Sequence, residues 1–224
     1  MPTRVFLVRH GATTLSAEDR FAGETDVELS DSGRAQLRSL ADRLRHEPLG
    51  AVYASPMRRA LESAGILAVP HGLPVIPVPA LSEISHGRWE GKTRREAEAL
   101  WPGEYSRWES DPYTLAPEGG ESGLAVTARA LPALIGLVAS QAGRTFLVVS
   151  HKATIRLLLS ALLGFDPRFY RDRLDQSPAC LNVLDFMDPS NARLTLFNDV
   201  SHYERGAPGT PTPRLSKWWD AVKT

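Results

Sequence analysis

Short apolar runs along this chain alternate with segments whose apolar residues recur at helical spacing. That order is typical of a mostly parallel sheet covered by helices. One run contains Pro77, which lacks a backbone donor and predicts a position near a sheet edge. The last two runs are separated by a turn at 188–191, so we expect a hairpin and a mixed sheet. The predicted strands cover residues 4–9, 51–54, 75–78, 145–150, 180–186 and 193–197.

Helix signals lie between these strands. Ser30 is a good N-cap for a helix that runs to about His46, with an apolar stripe between Leu37 and Leu44. Pro56 suits the first position of a second helix, which we expect to begin there and to continue to about Ala68. Two further helices are predicted over residues 122–141 and 153–163.

The stretch from 91 to 123 differs from the rest, because it combines tryptophans, charges and a turn-rich segment. It predicts a helical insertion that lies as a lid over the sheet edge. Residues 204–224 begin with a Gly/Pro/Thr-rich linker and end in a short tail with the pair Trp218-Trp219. We therefore expect one catalytic α/β domain over residues 1–203. Its predicted architecture is a three-layer sandwich, with a mostly parallel central sheet, helices on both faces and the helical lid.

The charge balance, the length of the apolar runs and the cysteine count limit the kinds of binding partner and cellular location that we expect. The 224 residues carry 26 Lys and Arg against 26 Asp and Glu, so nothing indicates the basic surface of a nucleic-acid-binding protein. No stretch reaches membrane-spanning length and the first apolar run is too short for a secretory signal, so we expect a cytoplasmic protein without a membrane partner. The single cysteine, Cys180, excludes an intrachain disulfide. Homo-oligomer formation stays open.

Two of the predicted strands are followed directly by a histidine, His10 and His151. The carboxyl ends of parallel strands meet at one sheet edge, where ligands bind in open α/β sheets, so we expect both imidazoles at the same place. Arg9 stands directly before His10. A cation beside a histidine argues against a metal and for a phosphate ligand.

Five segments in order make the sequence similar to the histidine phosphatase superfamily, also called the phosphoglycerate mutase-like family. Each segment alone is weak evidence for the resemblance, whereas the occurrence of all five in this order over roughly residues 4–200 is specific to the family. The segments are 7–13 (LVRHGAT), 26–33 (DVELSDSG), 54–60 (ASPMRRA), 81–91 (LSEISHGRWEG) and 149–151 (VSH).

The resemblance implies phosphoryl transfer through a phosphohistidine, with no metal and no cofactor. His10 would be the nucleophile, and Arg9 and Arg59 would clamp the phosphoryl oxygens. His151 would donate a hydrogen bond to the phosphate, beside the N-terminal amides of the following helix. Glu83 would protonate the leaving alcohol and then activate water.

Three further positions are candidates for substrate binding. Ser16 stands where many relatives carry an asparagine that touches the phosphate. Gly23 would offer its backbone N–H to the substrate, as the corresponding loop of the family does. Lys152 replaces a glycine that often follows the second histidine, and would either add a positive charge at the pocket rim or point into solvent.

We therefore expect a phosphomonoester phosphatase that acts on a small phosphorylated metabolite. The alternative is a cofactor-dependent phosphoglycerate-type mutase, although residues 85–91 resemble the phosphatase branch. A metal hydrolase is disfavoured because Arg9 and Arg59 would repel a divalent cation, and the complete set of matched residues argues against an inactive phosphate-binding module. The sequence leaves the substrate itself open.

Overall fold

The computed structural model describes residues 1–14 and 20–203, and it places a six-stranded sheet at the centre of the protein. The strand order is β3-β2-β4-β1-β5-β6, and the first four strands run parallel. The last two form an antiparallel hairpin beside β1. The strands are β1 (Thr3–Arg9), β2 (Leu49–Ala54), β3 (Val75–Pro77), β4 (Thr145–Ser150), β5 (Leu181–Asp188) and β6 (Asn191–Asp199).

Seven α-helices connect or flank these strands in the described part of the chain. They are α1 (Asp31–Leu44), α2 (Arg58–Ala68), α3 (Arg94–Leu100), α4 (Pro102–Ser110), α5 (Gly123–Ser140), α6 (Lys152–Leu163) and α7 (Tyr170–Arg173). The α/β class, the mixed sheet and the edge position of the proline-containing strand β3 are confirmed. Ser30 caps α1 by accepting a hydrogen bond from the Gly33 N–H, as its sequence predicts.

Alternation along the strands divides the core between two faces of the sheet. Phe6 and Val8 of β1 pack with α1 and α2 on one face. Val5 and Leu7 pack with α5 and α6 on the other. Strands buried on both sides are typical of parallel sheets, and they hold the strand ends rigidly where side chains must be placed accurately.

Helix α2 begins later than predicted. Pro56 does not open it, because Met57 is still extended at φ −67° and ψ 138° and the first helical residue is Arg58. The hydroxyl of Ser55 accepts a weak hydrogen bond from the Met57 N–H and shapes this turn. As a consequence Arg59 lies in the first turn of α2, directly above the ends of the central strands.

The segment after β3 is helical, as predicted, and it has its own aromatic cluster. Phe21, Trp89, Tyr105 and Trp108 are buried against one another, apart from the two sheet cores. Ring centroids within this cluster lie 5.2–5.9 Å apart. The assignment of residues 91–123 as a lid stays a prediction, and the predicted tail at 204–224 lies outside the described residues.

The expectation that no stretch reaches membrane-spanning length is wrong, because helix α5 is long and apolar enough by length and composition alone. The core helices of soluble proteins also pass this test. Its Leu134 and Val138 are buried in the core on one sheet face, together with Ile155 and Leu158 of α6. The buried residues of α5 form one stripe that packs on the core, while most of its surface is only partly buried or exposed.

Candidate active site

The two predicted histidines meet at the sheet edge. Strands β1 and β4 are parallel neighbours with Arg9 opposite Ser150, so the next residue on each strand is a histidine. The His10 N–H donates to the Ser150 carbonyl at 3.0 Å, and the two imidazole centroids lie 5.1 Å apart. Parallel register therefore brings together side chains that are far apart in the sequence.

His10 is held in one tautomer. Its Nδ1 lies 2.8 Å from the Gly11 carbonyl, which can only accept, so Nδ1 carries the proton and Nε2 keeps its lone pair. No described residue provides a hydrogen-bond partner for that Nε2. Burial lowers the pKa of His10 well below its usual value, and the positive charges of Arg59 and then Arg9 lower it further. The ring is therefore neutral near neutral pH, as a nucleophile must be.

Directly after β1, the backbone at Gly11 lies close to α1 and is hydrogen-bonded to α2. A Cβ at this position would lie 2.8 Å from the Gly33 carbonyl oxygen and from the Leu37 Cδ1, closer than such contacts allow. The Gly11 N–H donates to the Ser63 hydroxyl at 3.2 Å, and that hydroxyl donates to the Arg59 carbonyl at 2.6 Å. The backbone beside His10 is thus tied to α2.

His151 adopts the opposite tautomer. Arg59 donates through Nε to the His151 Nδ1 at 3.3 Å, so this nitrogen is the acceptor. The His151 Nε2 then carries the proton and donates to the Ser55 hydroxyl at 2.7 Å. Burial lowers the pKa of His151 well below its usual value, with Arg59 as the next cause. In this structure its N–H is directed at Ser55, whereas the sequence predicts a phosphate oxygen.

Both predicted arginines reach the site, but their donors are used differently. Arg59 donates through Nη1 to the Thr25 carbonyl and through Nη2 to the Gly23 carbonyl, each at 2.8 Å. Arg9 donates through Nη1 to the Gln176 carbonyl at 2.6 Å, and its buried Nε has no partner among the described residues. Burial lowers the pKa of both guanidinium groups. The site thus contains desolvated positive charge that an oxyanion would stabilise.

Glu83 lies at the beginning of α6. Its carboxylate accepts from the backbone N–H groups of Ile84, Ala153 and Thr154 at 3.0, 3.2 and 3.1 Å, and lies 3.1 Å from the Thr154 hydroxyl. His151, the N-cap residue, makes no side-chain cap itself, so Glu83 supplies that cap. The sequence predicts that the α6 amides favour an anion. In this structure the anion that binds the Ala153 and Thr154 amides is the Glu83 carboxylate, which comes from another segment.

The predicted substrate-binding residues have different outcomes. Gly23 does not present a free N–H, because that group donates to both oxygens of the Glu90 carboxylate at 3.0 Å. Lys152 is the first residue of α6 and is half-buried next to His151. Its position beside the site agrees with the sequence, while its contact with a substrate stays a prediction. Ser16 lies outside the described residues.

Glu90 is a site residue that sequence reasoning missed. Besides Gly23, its carboxylate accepts from the backbone N–H groups of Glu24, Thr25 and His86 and from the Thr25 hydroxyl. Glu90 therefore binds the backbone N–H groups of the loop at residues 23–25, and carbonyl groups of the same loop bind Arg59. Its place in the segment 81–91 that carries the resemblance is the sequence signal that could have found it.

Arg129 of α5 was also missed, and it braces the segment that carries Glu83. Its guanidinium donates to the carbonyl oxygens of Ala80, Ser82 and Glu83 at 2.8–3.0 Å. It also forms a two-bond pair with Glu121, which in turn accepts from the Ser85 N–H. No local pattern marks Arg129, because all of its partners are at least eight residues away.

Within residues 1–14 and 20–203, no group of three His, Cys, Asp or Glu side chains is arranged to hold a metal ion. Among the remaining histidines of the described region, His86 is buried and packs against Phe21 of the aromatic cluster at a centroid distance of 4.7 Å. The chemistry available is thus a neutral imidazole, two guanidinium groups, a second imidazole and a carboxylate around one small space.

Comparison with known proteins agrees with this geometry. A family model for the histidine phosphatase superfamily (branch 1) matches residues 5–200. Phosphoserine phosphatase 1 of Hydrogenobacter thermophilus is 33% identical over 163 residues, covering 73% of this chain and 77% of that protein. Glucosyl-3-phosphoglycerate phosphatase of Mycolicibacterium vanbaalenii is 37% identical over 169 residues, covering 72% and 74%.

Solved structures show the same similarity. Bacillus stearothermophilus YhfR superposes with a TM-score of 0.84 at 31% identity, covering 90% of this chain and all of that one. A mycobacterial glucosyl-3-phosphoglycerate phosphatase gives a TM-score of 0.79 at 31% identity, covering 88% and 99%. The chain belongs to the histidine phosphatase superfamily, branch 1, and is a phosphatase.

Proposed function

We propose that the protein hydrolyses phosphomonoesters of small metabolites through a phosphohistidine formed on the Nε2 of His10. The observation that carries this proposal is the state of the His10 ring. Its Nδ1–H is committed to the Gly11 carbonyl, and the ring is kept neutral by burial and by two guanidinium groups. The lone pair on Nε2 is therefore available to attack phosphorus.

In the first step the Nε2 lone pair forms a bond to phosphorus while the ester P–O bond breaks. The electron pair of that bond goes to the leaving oxygen, which takes a proton from the protonated carboxyl of Glu83. Charge on the equatorial phosphoryl oxygens is stabilised by Arg9 and Arg59, whose desolvated guanidinium groups interact strongly with it. The alcohol product then leaves.

In the second step water attacks the phosphohistidine. The carboxylate of Glu83 removes a proton from that water as its oxygen bonds to phosphorus. The P–N bond breaks and its electron pair returns to Nε2, which restores both the neutral imidazole and the protonated Glu83. His151 supports both steps as a neutral donor, once its N–H turns from the Ser55 hydroxyl to a phosphoryl oxygen.

Small phosphate esters are the substrate class that the relatives favour. Their names specify phosphoserine and glucosyl-3-phosphoglycerate as substrates of those proteins. These compounds share a phosphomonoester and differ in the alcohol, so we propose a small-molecule phosphate ester as the ligand here. The cytoplasmic location, the absence of nucleic-acid and membrane partners, and the oligomeric state stay predictions.

A rapid-quench experiment tests the intermediate. The protein is mixed with a radiolabelled phosphomonoester, quenched in alkali to preserve phosphohistidine, and digested for peptide mapping. We expect the label on the peptide that contains His10, and we expect His10→Ala to abolish it. The exposed His46 provides the matched control, because His46→Ala should retain the label. Label that persists in His10→Ala would contradict the assignment of the nucleophile.

A panel of phosphorylated metabolites, assayed for phosphate release, identifies the substrate. Transfer of the label to a phosphoglycerate faster than to water would instead support the mutase alternative.

A further inference from the structure

The hydroxyl of Thr154 lies between two acceptors next to the proposed acid. We propose that Thr154 is a positioning residue that holds the Glu83 carboxyl in place in both its protonated and its ionised state. This inference rests on the proposed function, in which Glu83 loses and regains a proton in every turnover.

The Thr154 hydroxyl has one proton but lies within hydrogen-bond distance of two acceptor oxygens. Its Oγ1 lies 2.8 Å from the Ser82 carbonyl oxygen and 3.1 Å from the Glu83 Oε1, and the residue is fully buried. A carbonyl oxygen only accepts, and an ionised carboxylate only accepts, so the single hydroxyl proton can serve one of them at a time. The hydroxyl can therefore donate to Oε1 if the Ser82 carbonyl has a second donor.

Among the described residues, the other donors to Glu83 are the backbone N–H groups of Ile84, Ala153 and Thr154. In the proposed mechanism the proton that Glu83 gives to the leaving oxygen and regains from water lies on Oε2. Oε1 is therefore an acceptor in both protonation states, and the Thr154 hydroxyl donates to it in both.

Donation from Thr154 to Oε1 leaves no buried group without a partner. The Ser82 carbonyl also accepts from the Nη1 of Arg129 at 2.9 Å, so it remains bonded when the Thr154 hydroxyl donates to Glu83. An unpaired buried carbonyl would otherwise oppose that orientation. Arg129 and Thr154 together therefore hold Oε1 in place while Oε2 loses and regains its proton.

The position of the second carboxyl oxygen fits an acid that works at a substrate. Oε1 accepts from Ile84 and from both donors of Thr154, whereas Oε2 accepts only from the Ala153 N–H among the described residues. Thr154 thus anchors one oxygen and leaves the other for the leaving group. Losing the hydroxyl should loosen this orientation without removing the acid.

Leaving-group dependence separates this role from simple support of the fold. Thr154→Val keeps the side-chain shape and removes the hydroxyl, and kcat/KM reports only steps up to release of the alcohol. We expect kcat/KM to fall about 10-fold for an alkyl phosphate, whose leaving oxygen needs a proton, and less than about 3-fold for p-nitrophenyl phosphate. Thr154→Ser, which restores a hydroxyl, should return the alkyl phosphate to within about 3-fold of the wild type.

Two other variants complete the test. Thr127→Val removes a hydroxyl that donates to the Gly123 carbonyl within α5, and it should leave both kcat/KM values unchanged. Glu83→Gln should show the same preference for p-nitrophenyl phosphate as Thr154→Val, but more strongly.

An equal loss on both substrates in Thr154→Val, or no loss on either, would overturn the inference about Thr154. If Glu83→Gln also lost the two activities equally, the acid role of Glu83 in the proposed function would fail instead. Urea unfolding of Thr154→Val and Thr127→Val shows whether each variant is folded under the assay conditions.

Discussion

The ends of β1 and β4 carry the same side chain to the same place, yet the two histidines are prepared for different tasks. His10 donates from Nδ1 to a backbone carbonyl and leaves Nε2 bare. His151 accepts at Nδ1 from Arg59 and donates from Nε2 to Ser55. One ring thus presents a nitrogen lone pair and the other an N–H donor, although burial lowers the pKa of both.

The difference arises from the neighbours of each ring. The partner of His10 is the carbonyl of the next residue, so its tautomer is set locally once the turn at Gly11 has formed. The partners of His151 come from the turn before α2 and from α2 itself, so its tautomer depends on packing between distant segments. A change at the β2–α2 connection should therefore affect His151 before it affects His10.

Removing each histidine should give the largest contrast. His10→Ala is expected to lower kcat about 10⁴-fold or more, because the attacking atom is lost. His151→Ala should cost about 10²–10³-fold, typical of one donor to a developing oxyanion. Steady-state rates and the yield of phosphoenzyme measure both. Equal losses, or a greater loss in His151→Ala, would contradict the division of tasks.

Arg59→Lys tests the partner that sets the His151 tautomer. A lysine keeps one positive charge, but all its donors lie on one nitrogen, whereas Arg59 reaches His151 and two loop carbonyls through three separate nitrogens. We therefore expect kcat/KM to fall about 10²-fold. Arg58→Lys is the matched control, since Arg58 is exposed and pairs with Glu28. It should stay within about 2-fold of the wild type. An Arg58 effect as large as that of Arg59 would show that the wrong arginine is assigned.

The free energy of unfolding should depend on pH because the imidazoles of His10 and His151 are neutral in the folded protein. Each histidine has a lower pKa in the folded than in the unfolded protein, so the unfolded state binds more protons below about pH 6.5. The free energy of unfolding should then fall with decreasing pH, by up to about 1.4 kcal/mol per pH unit for each ring.

Urea unfolding at several pH values measures this slope. His10→Asn should reduce it, whereas His46→Asn, at an exposed position, provides the comparison. A slope that His10→Asn leaves unchanged would contradict a neutral buried His10.

Two serine variants should give the smallest effects. Ser55→Ala removes the acceptor of the His151 N–H, and Ser63→Ala removes the acceptor of the Gly11 N–H beside His10. Each should destabilise the protein by about 1 kcal/mol. Only Ser55→Ala should shift the ring NMR signals of His151, while Ser63→Ala should leave them in place. A shift of the His151 signals in both variants would show that the two strand ends are not independent.

Local signals in the sequence predicted much of the fold correctly. Ser30 as an N-cap, the apolar stripe between Leu37 and Leu44, and the hairpin turn at 188–191 each act within a few residues, and each is confirmed. The wrong start for α2 has a local origin too. Pro56 is compatible with a first helical position, but the Ser55 side chain bonds the Met57 N–H and delays the helix.

The partners of each donor at the site could not be predicted in the same way. The α6 amides suit any anion, and only the packed structure decides that the Glu83 carboxylate occupies them. The Gly23 N–H likewise suits a substrate oxygen, yet Glu90 reaches it from another segment of the chain. Sequence shows which groups can bond, while the distance between segments decides which pairs form.

The amino-acid sequence by itself therefore determined the strands, most helix ends, the family and the residues that gather at the sheet edge. Periodicity, capping and parallel register need only the order of residues along the chain. Tertiary structure alone decided the two tautomers, the partner of the α6 amides and the brace by Arg129. Each of these depends on hydrogen bonds between groups that approach within about 3 Å only after the helices pack on the sheet.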